Sequence, residues 1–224
     1  MTKIIEGTKK CAICGKHSKH YEILSCCTFG SSDLDTRPSE MSRGTMSEWI
    51  QACPYCGYVS YDLEKIPESM FEIDIEEIMK SNEYKTGKPF TFKKSEKLAK
   101  DFYRFYLMHE FADDLEEAFS DIRCAAWDCD DNNDPVNAAA LRKLGIKIMD
   151  KIFENMDDKK ANYLLSRADF LRRIGQFDAV IKEFTNIKFK KELYNEIIAF
   201  QIAKAKEKDT RCYTIDHVHP EKEE

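Results

Sequence analysis

Nowhere in this 224-residue sequence do apolar residues run for the ~20 positions that a membrane-spanning helix needs. The opening residues, Met-Thr-Lys-Ile-Ile-Glu-Gly-Thr-Lys-Lys, lack the apolar core and small-residue cleavage site of a secretory signal. Basic charge is also short. The chain has 35 Lys and Arg against 41 Asp and Glu, a net charge of −6, so it lacks the positive excess that phosphate-backbone binding calls for. Up to Asp62 the two signs balance at seven each, and the remainder, with 28 basic and 34 acidic residues, carries the whole excess. A P-loop, a glycine-rich dinucleotide fingerprint, a nucleophile elbow and an H-E-x-x-H helix are all missing, which removes the commonest signatures of nucleotide, dinucleotide, serine-hydrolase and zinc-protease chemistry.

Cysteine, by contrast, is plentiful. Nine cysteines without an export signal point to metal thiolates and free thiols in a reducing, cytoplasmic compartment, not to a disulfide framework. Four of them form two knuckles, Cys11-Ala-Ile-Cys14-Gly15 and Cys53-Pro-Tyr-Cys56-Gly57. Thiols two residues apart on a tight turn reach one ion, and the glycine supplies the left-handed position where the chain turns back. Four thiolates suit one closed, tetrahedral, structural Zn²⁺ at Cys11, Cys14, Cys53 and Cys56. Redox dithiols would open a helix inside a βαβ pattern, and neither knuckle has that context. Cys26, Cys27, Cys124, Cys129 and Cys212 are read as free thiols.

Short aromatic and β-branched segments flank the knuckles: Tyr21–Phe29, Glu48–Ala52 and Tyr58–Tyr61. Two hairpins meeting at a metal make a zinc ribbon over residues 1–62, a core too small to fold well without its ion. The connecting stretch Gly30–Gly44 is polar and longer than a turn requires. Arg37 and Arg43 either present guanidinium groups to an anion, or Arg37 and Glu40 are internal pairs that pin the loop to the ribbon. His17 and His20 are further candidate ligands, for which solvent exposure is the simpler reading.

From Leu63 to Lys208 the pattern is helical. Met70–Tyr84 reads as a short helix or connector, broken by Lys85-Thr-Gly-Lys-Pro89. Apolar stripes follow: Leu98, Phe102, Phe105 and Tyr106 behind a Ser95 N-cap; Leu115, Ala118, Phe119, Ile122 and Ala126; Val136, Ala140, Leu144, Ile148 and Ile152. Three more run over Ala161–Leu171, Phe177–Phe184 and Leu193–Phe200. The acidic stretch Asp128–Asp134 alternates like the start of a calcium loop. It has Asn133 where glycine is wanted and Ala139 where a bidentate Glu is wanted, so helix capping by Asp134 ahead of Pro135 explains it better. Six helices in adjacent pairs predict stacked antiparallel hairpins, and Leu164–Phe184, with Ala168, Gly175, Phe177 and Phe184, resembles a tetratricopeptide (TPR) hairpin. The expected fold is therefore α+β, mainly α: a ribbon (1–62), a TPR-like helical domain (63–208) and a flexible tail (209–224). In the tail, His217 and His219 are read as exposed.

Beyond these readings, the chain resembles a family of bacterial cytosolic proteins catalogued only as a domain of unknown function. The likeness rests on both knuckles, on Arg37-Pro38-Ser-Glu-Met41 between them, on Cys53-Pro-Tyr-Cys-Gly-Tyr58, and on Ala125-Ala-Trp127-Asp-Cys-Asp-Asp131. It extends to about Phe184. It implies a split four-cysteine zinc ribbon followed by TPR-like helices in a bacterial cytoplasm, and it implies no activity.

The functional expectation is a non-catalytic zinc-binding interaction or scaffold protein. Four thiolates leave no open position on a metal for water. Tyr103, Arg104, Arg142, Lys143, Arg167, Arg172 and Arg173 lie off the apolar stripes, so the expected partner is an acidic or carboxylate-terminated peptide. Arg37, Glu40, Arg43, Arg167 and Arg173 are the candidate contacts. The competing reading pairs these arginines with neighbouring acids such as Asp169. The alternatives are a nucleic-acid-associated ribbon factor using Lys9, Lys10, Lys16 and Lys19, and an enzyme using the Arg37–Arg43 loop.

Overall fold

The computed structural model describes residues 1–154 and 161–218. Among the described residues the elements in chain order are β1 (Lys3–Lys10), β2 (His17–Ser25), β3 (Gln51–Ala52), β4 (Val59–Ser60), α1 (Ile75–Lys80), α2 (Asn82–Thr86), α3 (Lys97–Phe111), α4 (Leu115–Asp131), α5 (Pro135–Glu154), α6 (Ala161–Arg173), α7 (Phe177–Phe184) and α8 (Glu192–Lys206). The protein is mainly α, with two separate two-stranded antiparallel sheets, β1–β2 and β3–β4. Contacts divide the chain into two discontinuous units, Met1–Cys27 with Gly44–Leu141, and Thr28–Arg43 with Arg142–Glu224. The boundaries fall elsewhere than at residues 62 and 208.

In the first unit, β1 pairs with β2 from Lys3↔Ser25 to Lys10↔His17. The strand expected over Tyr21–Phe29 therefore starts at His17 and stops at Ser25. β1 lacks apolar alternation, because Ile4 and Ile5 are adjacent, and its pairing is imposed by the turn that joins it to β2. The short helix or connector expected over Met70–Tyr84 is two short helices, the second running on to Thr86. Ser81 interrupts them and caps the second by accepting from the Tyr84 N–H at 3.1 Å.

α3 and α4 form the core of this unit. Ala99 contacts Asp128 near one end and His109 contacts Asp121 near the other, so the pair is antiparallel. Phe102, Phe105, Met108, Ile122, Ala125 and Ala126 are fully buried between and beside them. Each large side chain so placed contributes roughly 1.5–3 kcal/mol. Ser95 does not cap α3. It lies in a 3₁₀ turn, Lys94–Glu96, and the helix N-terminus is capped from outside: the Asp128 carboxylate accepts the Ala99 N–H at 2.8 Å.

The expected stripe on α5 is corrected at its start. Val136 is 76% exposed, whereas Ala138, Leu141, Ile148, Met149 and Ile152 are buried. A strict every-fourth row drifts around a helix of 3.6 residues per turn, so the core line needs mixed steps of three and four. Asp134 does cap α5, accepting the N–H groups of Val136 and Asn137 at 3.1 and 3.0 Å. This is the capping role read from the acidic stretch.

One turn geometry recurs. Asp113, Asn133, Gly175 and Lys208 each take a positive φ directly after a helix. In each case the next residue donates its N–H back into the last turn: Asp114 to His109, Asp134 to Cys129, Gln176 to Leu171, Asp209 to Lys204. These are Schellman closures, which satisfy carbonyls that a helix end leaves without partners.

In the second unit, α6, α7 and α8 bury Leu164, Leu165, Ala168, Leu171, Val180, Phe184, Ile197, Ile198 and Ala205 in one cluster. Two non-helical residues complete it, Leu34 and Tyr213. The Leu34 N–H donates to the Tyr213 carbonyl at 2.9 Å, and the Ile215 N–H to the Ser32 carbonyl at 3.0 Å. The stretch 28–43 thus belongs with these helices: Leu34 needs burial, and two small hairpins offer little core. The flexible tail expected from Asp209 is likewise corrected over residues 209–218, which pair with this stretch and close in a 3₁₀ turn, Ile215–His217. His219 lies outside the described residues.

Candidate metal centre

Each knuckle is the turn of a hairpin, and the two turns are built alike. In the first, between β1 and β2, the Cys11 N–H donates to Lys16 at 3.0 Å and the Gly15 N–H to Cys11 at 2.9 Å. In the second, between β3 and β4, the Cys53 N–H donates to Tyr58 at 2.8 Å and the Gly57 N–H to Cys53 at 2.9 Å. Gly15 and Gly57 take φ of 70° and 80°, the left-handed region that a side chain disfavours. The local chemistry read from the two motifs is therefore what the backbone does.

The turns face each other crosswise. Cys11 Sγ lies 3.7 Å from Cys56 Sγ, and Cys14 Sγ lies 3.6 Å from Cys53 Sγ. All four sulfurs lie within 4.8 Å of one another. A tetrahedral ion with metal–sulfur bonds of about 2.3 Å sets its sulfurs about 3.8 Å apart, so the donor set fits such an ion. A disulfide needs about 2.05 Å, and all nine cysteines are free thiols. Cys11 and Cys53 are buried, Cys14 and Cys56 half-buried.

Electrostatics around the thiols are uneven. Burial pushes Cys11 and Cys56 up. Burial also opposes ionisation of Cys53, but N–H groups of Cys56 and Tyr55 and the neighbouring thiols bring it down to about 7.

Residues behind the sulfurs fix the turns. Tyr58 is fully buried and its hydroxyl donates to the Lys65 carbonyl at 3.0 Å. Tyr84, from α2, donates to the Gly57 carbonyl at 2.8 Å. The Ala12 N–H donates to the carbonyl of fully buried Leu63 at 2.9 Å. Such outer contacts orient ligands around a metal. Tyr58 stands inside a quoted motif, but nothing in the spacing of Tyr84 marks it as a support 27 residues from the knuckle.

The histidine candidates do not gather. His17 and His20 stand three apart on β2, so they project from opposite faces. His17 is exposed, and His20 Nε2 meets Ser18 Oγ at 2.8 Å. His217 turns to Thr214, its Nδ1 lying 2.9 Å from the Thr214 hydroxyl oxygen. Among the described residues, the four knuckle cysteines are the one group of three or more ligand side chains placed to hold a metal.

The arginines named for a partner meet carboxylates. Arg43 pairs with Asp33 at 2.6 Å and donates to the Pro38 carbonyl at 3.2 Å. Arg37 is buried, and its backbone N–H, not its guanidinium, donates to Asp35 Oδ1 at 3.2 Å. Arg173 meets the other oxygen of Asp35 at 3.5 Å. Arg167 bridges Asp150 and Glu183, each at 2.7 Å. Glu40 is exposed, and its carbonyl accepts from the Phe29 N–H. The structure thus brings Arg37, Arg43 and Arg173 around the buried pair Asp33 and Asp35 and places Arg167 separately. The acids that sequence reasoning missed stand beside Leu34, where alternation with an apolar residue was the available signal.

Against protein-family models, curated proteins and solved structures, the chain finds no match.

Proposed function

We propose that this protein is a non-catalytic, zinc-stapled interaction protein of a reducing, cytoplasmic compartment. Cys11, Cys14, Cys53 and Cys56 hold one structural Zn²⁺, which supplies four bonds' worth of folding free energy to two hairpins too small to stand alone. The helical hairpins, TPR-like in α6 and α7, present the surface that a protein partner uses.

The observation that carries this reading is the crosswise set of four sulfurs at tetrahedral spacing, 3.6 and 3.7 Å along two edges. A closed four-thiolate set holds a metal without exposing it to substrate, which favours a structural over a catalytic ion.

Native mass spectrometry of protein expressed in zinc-replete medium tests it. One Zn²⁺ per folded chain is expected, together with loss of the ion in Cys53→Ser. Fully folded protein holding less than about 0.2 equivalents of metal overturns the reading.

A further inference from the structure

The first unit carries a groove that the metal site does not explain. It has a volume of about 460 Å³ and lies between α1, the start of α2 and the end of α3. Its floor is apolar: Ile78, Leu107 and Phe111. Phe111 is 67% exposed, an uncommon state for a phenyl ring beside a hollow. Its rim is acidic: Asp74, Glu77, Glu83 and Glu110.

The rim is built and held. Tyr103 and Tyr106 stack on each other at 5.5 Å, and their hydroxyls donate to Glu83 and Glu110 respectively. Burial raises both phenols well above their ordinary range, so they remain donors to the two carboxyl groups. Among the described residues Asp74, Glu77 and Glu83 form no ion pair; the nearby Lys80 turns to Glu76 instead, at 3.6 Å. Asp74, Glu77 and Glu83 therefore present negative charge that the described residues do not pair, beside the exposed ring of Phe111.

We propose that this groove docks a basic amphipathic peptide segment of a partner protein, with an aliphatic side chain on Phe111, Leu107 and Ile78 and flanking Lys or Arg side chains on Glu77, Glu83 and Asp74. This deepens the interaction-protein reading and rests on it. The sign is opposite to the acidic partner expected from the arginines, because those arginines meet internal acids and these carboxylates do not. Charge complementarity selects the cation, and the floor selects the peptide: an aliphatic polyamine meets the rim but brings only a few methylenes between charges, too little to cover an exposed phenyl ring.

The test uses the full-length, zinc-loaded protein and two fluorescein-labelled helical probes, one of leucine and lysine and one of leucine and glutamate. Fluorescence anisotropy at 50 mM salt should show saturable one-to-one binding of the lysine probe alone, weakening as salt rises. Phe111→Ser and the double variant Glu77→Gln, Glu83→Gln should each weaken it at least tenfold. Glu207→Gln, which loses its partner Lys204, should leave it unchanged. Equal binding of both probes, or unchanged binding in Phe111→Ser, overturns the proposal, as does spermidine binding that is insensitive to Phe111→Ser and displaces the probe. Zinc is counted in the same samples. Full zinc with no probe binding overturns the groove alone; probe binding with no zinc overturns the staple alone.

Discussion

His109 and Asp121 are in direct contact inside the α3–α4 hairpin, Nδ1 to Oδ2 at 2.7 Å, with His109 2% exposed and Asp121 fully buried. The Tyr61 hydroxyl, just beyond β4, donates to the other Asp121 oxygen. A side chain from the end of the metal hairpin is thus tied to the middle of the helical core.

Asp121 should make stability depend on pH. Burial pushes its carboxyl up to about 6, the His109 contact opposing that rise. An unfolded Asp titrates at about 3.9. A carboxyl raised on folding adds stability that is full below the unfolded value and lost as pH climbs through the folded one. The stability difference between the natural protein and Asp121→Asn should therefore grow as pH falls from 7.5 to 5. At pH 7.5 the variant should be weaker by roughly 1–3 kcal/mol, since His109 and Tyr61 lose a charged partner. Urea titrations at both pH values measure it; a difference that does not change with pH contradicts the assignment.

Arg172 should be the most costly single side chain in the second unit. It is fully buried. It donates to Asp169 at 2.8 Å, to the carbonyls of Asp209 and Arg211 at 2.8 Å each, and to Gln201. Arg172→Met keeps much of the volume but takes the donor from both carbonyls and the cation from buried Asp169, which retains only the Gln201 amide, and this costs about 3–5 kcal/mol. Hydrogen exchange should show residues 209–218 losing protection before the helices do.

Asp128→Ala should lower stability by about 1 kcal/mol, through loss of the cap on the N-terminus of α3. Asp128→Asn keeps an acceptor and should recover part of that loss. Chemical denaturation of the two variants reads the difference, and equal effects would mean that the carboxylate acts elsewhere.

Thiol labelling at pH 7.5 should order the free cysteines. Cys26 is exposed and should react first. Cys212 is exposed as a residue, but its sulfur donates to Asp33 at 3.4 Å and is pushed up to about 12, burial outweighing the pull of Arg173. It should lag by tenfold or more, because the thiolate is the reactive form. Cys129 is fully buried and should wait for unfolding. Mass spectrometry of timed samples gives the order, and none of these reactions should release the metal.

Local chemistry was legible in the sequence. Both glycine turns, the Asp134 cap and the Gly175 turn follow from spacing and residue type alone. What could not be read was distance along the chain. Nothing near Ala99 announces Asp128, and nothing near Leu34 announces Tyr213, because a cap or core partner from another element leaves no period in the sequence. The polar composition of residues 30–44 left open a loop facing an anion or one held by internal pairs, and it did not show that the stretch encloses Leu34 and the buried pair Asp33 and Asp35. Arg167 and Arg173 looked available because their acids sit on other elements.

The excursion of residues 28–43 into the second unit has a consequence for the order of synthesis. Asp33 and Cys212 meet across 179 residues, so this stretch leaves the ribosome early and finds its partners nearly last. The four metal cysteines, by contrast, are all out once Cys56 is made, and the remainder of their unit follows by Leu141. Domains fold as units as the chain emerges. The metal half can therefore set while a tethered span of its own sequence, carrying Leu34, still waits for residues 142–218. That interval exposes Leu34, the large apolar side chain of this stretch that the finished fold buries, and it means that excising residues 1–62 as a ribbon would strand Leu34 permanently in solvent.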